Sequence, residues 1–429
     1  MITINNERPF RFESAWQTHD SFQADLSSWW RQELNFTANL SKVEDALKEW
    51  RINTELLARL GGIQRKREAR AMNCHLDWLE RSLQIELAEV LKQEELMWHQ
   101  RSRARWLYDG DRNTKYYNLK AVNRKRKNRI IMLRNNDGQW VEEDGALREL
   151  VSNFYKELFT ETNVGLTELD MKYGFKPLEE DMAHNIDREV ENEEVKEALF
   201  NMGAWKALGP DGYPAGFYQK NWSLIAPKMY EFVRHLWKNP EAIALVNTTD
   251  ICLIPKIDKP EFVSQFRPIS LCNVSYKVLT KIIVNRLKPL MPTIISPYQT
   301  GFVPTRSIHE NIVVAQEMVH TMYKMRGRTG FVAVKVDLAK AYDRLRWSFI
   351  SAVLEEVNIP QGLRNIIMNC ITSVKTNVMW HGSRSDFFAP GRGIRQGDPM
   401  SPYIFVLCMD KLTHLIAESV DSGNWHPLK

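Results

Sequence analysis

The sequence predicts a mixed fold of helices and short strands, helical through its N-terminal part, on three observations. From about Ser41 to Arg105 the chain is rich in Leu, Glu, Lys, Arg and Gln, and Leu76, Leu83, Val90 and Met97 recur every seventh residue, as on one helix face. From Thr249 the texture changes to short apolar runs with basic punctuation, which read as strands. Third, Phe331, Val332, Ala333, Val334 and Val336 form a β-branched run that reads as a buried strand delivering Asp337 at its end. An amphipathic helix with Ile350, Val353, Leu354 and Val357 is expected after it.

The 429 residues suffice for two or three packed units, and a hydrophobic content of 44% argues against disorder. The net charge of +5 is modest, but between Arg101 and Arg134 twelve Lys and Arg face two Asp, a local +10. The five cysteines are odd in number, scattered and never in C-x-x-C spacing, so neither a disulfide framework nor a zinc site is indicated. No run approaches 18 apolar residues, and the polar start MITINNERPF lacks the layout of a secretory signal, so an intracellular, non-membrane chain is expected.

Residues 1–20 are polar and aromatic without a clear period, like a terminus that begins mid-protein. The heptad region predicts long helices, broken as a hairpin near Gly61-Gly62; a coiled coil for partner binding explains the same pattern. In WLYDGDRNTKYYN, residues 106–118, and the KRK cluster at 125–127, Trp106, Tyr108, Tyr116 and Tyr117 interleave with Arg and Lys. That mixture suits nucleic acid, because cations neutralise phosphates while rings stack on bases; a solvated basic face or a nuclear-import signal explains it equally. Asn135-Asn136-Asp137-Gly138 predicts a hairpin turn between Ile130–Leu133 and Trp140-Val141. The acidic, weakly patterned residues 160–195 read as a separator, and Pro210-Asp211-Gly212 within WKALGPDGYP as a turn.

In the second half, Ile251–Ile254 and RPISL at 267–271 read as strands, and Tyr276–Leu290 as a helix with Leu279 and Ile283 on one side and Lys277, Lys281 and Lys288 on another. A further helix is expected through Leu363, Ile366, Ile367 and Cys370, then a strand and turn at TNVMW and HGSRS. GIRQGDPMSP, residues 393–402, predicts an irregular loop, with Ser401 as N-cap and Pro402 as first residue of a closing helix. Gln396, flanked by glycine, can approach a base or sugar closely. A carboxylate at a strand end followed by an aromatic, Tyr342, suits metal-assisted phosphoryl chemistry, although a helix cap or ion pair accounts for an isolated Asp as well.

WKALGPDGYP, LIPKIDKPEFVSQFRPISL, YQTGFVPTRSIHENI, VKVDLAKAYDRL and GIRQGDPMSP occur in this order. With them the chain, from RPFRFESAW at 8–16 to its last residue, resembles a reverse transcriptase of the non-LTR, LINE-type retrotransposons, most closely those of plants. The resemblance implies an α+β right-hand polymerase: residues 1–134 a basic helical extension, 135–245 a linker and the start of the fingers, 246–429 fingers and an incomplete palm. It implies RNA-directed DNA synthesis by two-metal nucleotidyl transfer, with Mg²⁺, template RNA, a DNA primer and deoxynucleoside triphosphates. Asp337 matches the palm carboxylate that binds the magnesium ions. Tyr342 matches the aromatic residue under the incoming sugar, which excludes a ribose 2′-hydroxyl. Gln396 and Gly397 match the loop that holds nucleotide and template base, and Lys256, Arg267 and Lys277 match cationic positions of the fingers. Gln299, Gly301, Phe302 and Arg306 resemble the template-guiding segment, while Arg112, Arg124, Lys125, Arg126 and Lys127 fall in the RNA-gripping extension.

Two departures shape the expectation. The aromatic-Ala-Asp-Asp turn that completes the family's metal site is not in these 429 residues, so the polypeptide by itself is expected not to polymerise. The endonuclease that precedes RPFRFESAW in such elements, and downstream zinc-knuckle or RNase H segments, are not in it either, as for a piece of an open reading frame. A non-catalytic RNA-binding remnant is the alternative, and an intron maturase would bring a splicing-associated C-terminal domain. The nucleus is one location compatible with this reading.

Overall fold

The short apolar runs pair much as their pattern predicts. The computed structural model describes residues 9–19, 21–49, 74–102, 114–161, 174–326 and 330–426. Leu133–Arg134 (β1) and Trp140–Val141 (β2) form the expected small hairpin, whose turn is held by Asn135 Oδ1 accepting from the amides of Asp137 and Gln139 at 3.1 and 2.9 Å. Thr248–Pro255 (β3) and Phe266–Cys272 (β4) run antiparallel, with Ile254 opposite Arg267. Lys375–Trp380 (β5) joins the free edge of β3 in parallel, and Ser383–Arg384 (β6) turns back on it, giving the order β4-β3-β5-β6.

Two apolar clusters flank this frame. The larger gathers around the helix Val274–Leu287, whose Tyr276, Val278, Leu279, Ile282 and Ile283 are all buried, together with the helices Trp347–Glu356, Gln361–Thr372 and the start of Ser401–Asp421. The smaller joins Leu133, Leu147 and Tyr155 to Ile251, Phe266, Val378 and Trp380 of the sheet. The amphipathic helix expected after Asp337 spans Trp347–Glu356 and buries Ile350, Val353 and Leu354. The heptad region gives the helix Cys74–Ser102, which packs on Thr114–Lys127 and buries Leu83; the break expected at Gly61-Gly62 lies outside the described residues.

Three expectations are corrected. The separator expected at 160–195 instead carries, in its described part, two packed helices, Glu180–Asp187 and Asn192–Phe200, because Ile186, Val190, Val195 and Leu199 are enough to anchor them. Buried Arg286 fastens them to the core helix, donating to both Glu194 oxygens at 2.8 and 2.7 Å and to the carbonyls of Ile186, Arg188 and Glu189. Second, the run before Asp337 is neither a strand nor buried: residues 330–338 are irregular, with Val332, Val334 and Val336 at 86%, 77% and 66% exposure. Alternating β-branched residues make a strand only against a neighbouring strand, and none of the described strands pairs with this run. Third, Met400 caps the closing helix and Ser401 is its first residue, since Asp398 Oδ1 already holds the Met400 amide at 2.9 Å.

The turn at Pro210-Asp211-Gly212 is tied to the sheet. Arg384 donates to the Pro210 carbonyl at 2.7 Å while gripping Asp250 at 3.1 Å, and the Asp211 amide donates to Asn273 Oδ1 at 3.0 Å. Desolvation pushes the Asp211 carboxyl up to about 7. A raised carboxylate pKa means that stability is full below the unfolded pKa near 4 and is lost as pH rises through about 7. Asp211→Asn, which keeps the acceptor for the Tyr213 amide, should therefore raise the melting temperature at pH 8 and leave it little changed at pH 4. Thermal unfolding at the two pH values checks this.

Candidate active site

The loop Gly393–Met400 is sewn to two separate parts of the chain. On one side the Gly393 and Ile394 amides donate to the carbonyls of Leu345 and Tyr342 at 2.7 and 2.9 Å, and the Trp347 indole donates to the Gly393 carbonyl at 2.8 Å. On the other, the Ser270 amide of β4 donates to the Gln396 carbonyl at 2.8 Å. Such close approach requires glycine. Gly393 has φ of 90° and a Cβ there would stand 2.7 Å from the Asp343 carbonyl; Gly397 has φ of 123° and would meet the Ser270 carbonyl at 2.8 Å.

Beneath the loop, the Arg395 guanidinium is enclosed. It donates to Asn247 Oδ1 at 2.5 Å, Thr249 Oγ1 at 3.2 Å, the Cys370 carbonyl at 2.8 Å and the Tyr276 hydroxyl, and it pairs with Asp398 at 3.1 Å. Tyr276 in turn donates to Asp398 at 2.8 Å, and its ring lies 4.3 Å from the guanidinium carbon. A buried cation persists only when paired and fully bonded in this way.

Above the loop an open groove of about 490 Å³ is lined by Ile269, Leu338, Ala341, Tyr342, Gln396, Gly397 and Phe405. Tyr342, half-buried on the short helix Ala341–Arg344, stacks on Phe405 with ring centroids 4.4 Å apart and planes 20° apart. Ile269 and Gly397 also border a second cleft of about 430 Å³, whose walls include His99, Gln100, Trp205, Lys206 and Lys277. Rings, amides and cations around connected concavities suit a nucleotide and a nucleic acid strand.

Residues 254–425 match the family model described as reverse transcriptase (RNA-dependent DNA polymerase). The segment is a reverse transcriptase domain. Across 319 residues, 74% of this chain and 24% of the relative, the sequence is 26% identical to the uncharacterized 149 kDa protein of transposon TX1 from Xenopus laevis. It is 29% identical over 212 residues to the Pol polyprotein of the type-2 retrotransposable element R2DM from Drosophila melanogaster, covering 49% of this chain and 19% of that protein. A third relative, the R2 Pol polyprotein of Nasonia vitripennis, is 26% identical over 237 residues, 55% of this chain and 22% of its own. The chain thus spans about a quarter or less of the length of these relatives.

Within this segment, Tyr342, Gln396 and Gly397 line one groove. Lys256 and Arg267 are exposed at the β3–β4 end of the sheet, Lys256 reaching the Ser264 carbonyl at 3.4 Å, and Lys277 faces the second cleft. Other expected contacts are used internally. Arg306 donates to the carbonyls of Pro292, Ile295, Ser296 and Gln299, and Gln299 accepts from the Gly301 amide at 3.0 Å, so both hold their own loop; Phe302 remains exposed. Arg124 donates to the last carbonyls of the Cys74–Ser102 helix, at Arg101 and Ser102, and acts as its cap. Tyr117 is buried, unlike the exposed Tyr116, Lys125, Arg126 and Lys127, and Lys127 pairs with Asp258 at 3.0 Å. Arg112 lies outside the described residues.

Asp337 sits on the exposed irregular segment, next to Leu338 of the groove wall. The described residues do not assemble a magnesium site around it: no three His, Cys, Asp or Glu among them converge. Asp343, the next carboxylate along the chain, is buried and engaged by Gln396. Sequence reasoning missed Arg395 and Asp343 as site residues. Their only signal was adjacency to Gln396 and Tyr342.

Because Gly393 is held at positive φ against the Asp343 carbonyl, Gly393→Ala should cost about 1–3 kcal/mol, read by urea unfolding. Gly138→Ala, also at positive φ but with open space around it, is the milder control.

Proposed function

We propose that this chain is the polymerase module of a LINE-type element, copying RNA into DNA from a DNA primer and deoxynucleoside triphosphates. The observation that carries this reading is the convergence of Tyr342, Gln396 and Gly397 in one groove, beside the segment that bears Asp337. The Tyr342 ring, clamped on Phe405, is a rigid wall against which a deoxyribose fits and a ribose 2′-hydroxyl collides. Lys256 and Arg267 supply cations for the triphosphate, and the cleft around Lys277 and Trp205 accommodates the template. The family is divalent-metal dependent, and Asp337 would be a ligand; among the described residues no further acidic partners gather with it, and a competent site needs them.

Two outcomes are expected of the 429-residue polypeptide. Given an RNA template, a DNA primer, Mg²⁺ and deoxynucleotides, it extends the primer orders of magnitude more slowly than a complete site would. Substantial extension abolished by Asp337→Asn would overturn that expectation and strengthen the polymerase assignment. Retention of the template–primer should be enhanced by the complementary deoxynucleotide over its ribonucleotide, and Tyr342→Ala should erase that preference by about 10-fold. No response to any nucleotide would remove the polymerase reading.

A second reading, RNA binding without chemistry, is favoured by the exposed Lys125, Arg126 and Lys127, and a nuclear site of action fits either reading. Neutralising these three should flatten the salt dependence of RNA affinity by about one unit per lost phosphate contact, whereas Arg124→Ala should lower stability instead.

A further inference from the structure

A primary amide has a donating end and an accepting end, and which end Gln396 shows to the groove decides what the groove recognises. Its Nε2 lies 3.1 and 3.4 Å from the two oxygens of Asp343. An ionised carboxylate only accepts, so nitrogen is the end that can face it. Asp343 is buried. The groups acting on it are Lys340, Lys256, Arg344 and Tyr155. Burial pushes its carboxyl upward, which the three cations and the Gln396 hydrogen bond oppose. Lys340 has a left-handed backbone at φ 54°, and its buried ammonium, without a hydrogen-bond partner among the described residues, lies 4.6 Å from the Phe154 ring.

Neither partner is free to slide. The Ile394 amide is bonded to the Tyr342 carbonyl and the Ser270 amide to the Gln396 carbonyl, so the backbones on both sides of the contact are fixed. Among the described residues no hydrogen bond reaches Gln396 Oε1, and Gln396 lines the groove with Tyr342 and Gly397.

We infer that Asp343 is a positioning residue that orients the Gln396 amide so that the groove presents an acceptor oxygen and selects a nucleotide group that donates. That group is a sugar hydroxyl or a base amino group. The nucleotide half of this inference rests on the polymerase reading; the orientation of the amide does not.

Selective ¹⁵N-glutamine labelling tests the orientation. The Gln396 side-chain amide signals, assigned by their loss in Gln396→Ala, should titrate with a midpoint above the ordinary Asp range, and Asp343→Asn should abolish that titration. Signals that ignore pH, or that titrate unchanged in Asp343→Asn, overturn the inference. Should that variant not fold, Asp343→Glu keeps an ionisable acceptor and must displace the midpoint; an unmoved midpoint counts against the contact. For the nucleotide, Asp343→Leu, which removes the acceptor altogether, should weaken binding of the complementary deoxynucleotide to the protein–template–primer complex by about 10-fold, with template–primer affinity unchanged. If the effect vanishes with 2′,3′-dideoxynucleotides the donor is a sugar hydroxyl; if it is absent for dTTP alone, it is a base amino group. An unaltered affinity for every nucleotide overturns the selection. Wild-type protein that holds template–primer but no nucleotide sinks the polymerase reading, while the amide titration still judges Asp343.

Discussion

The enclosed guanidinium of Arg395 is the constraint on which the groove depends. A cation taken out of water costs several kcal/mol unless geometry compensates it, and here one carboxylate, one phenol, one carbonyl and two polar side chains from four different segments do so. Those segments are Asn247 with the start of β3, the helix Val274–Leu287, the helix Gln361–Thr372 and the loop itself. Arg395 can be satisfied only when all four are assembled, so Gln396 and Gly397, its neighbours, inherit a fixed place relative to the sheet. The two tight glycines complete the arrangement by letting the loop backbone lie directly on the Asp343 and Ser270 carbonyls.

The site therefore has two halves of unequal order. The groove half, Tyr342 on Phe405 with Gln396 and Gly397, is held by bonds already made. The carboxylate-bearing half, with Asp337, lies on a segment whose valines face solvent. Catalytic geometry demands that acidic ligands be rigidly placed, and an unpaired extended segment does not provide that.

The basic residues divide in the same physical terms. Arginine, with its planar fork, is drawn inward wherever several carbonyls or a carboxylate converge: Arg124, Arg286, Arg306, Arg384 and Arg395 all serve the fold. Lys125, Lys127 and Lys256, together with Arg126 and Arg267, remain at the surface, where a phosphate chain would meet them. A count of positive charges along the sequence overstates the nucleic-acid surface by the number that cap helices and brace turns.

What the sequence by itself determined were the features written in local spacing. The β3–β4 pair, the helices Val274–Leu287, Trp347–Glu356 and Gln361–Thr372, the Asn135 turn and the glycine-flanked loop each follow from periodicity or turn chemistry within a dozen residues. The motif order likewise pointed to the reverse transcriptase domain before any coordinate was known. Only the tertiary structure decided which polar side chains were spent internally, as with Arg306 and Arg124, and which were paired beside the groove, as buried Asp343 with Gln396. It also decided that the valine run before Asp337 stays unpaired. Strand formation and charge burial both depend on partners far away in the chain, and a linear pattern carries no record of whether those partners arrive.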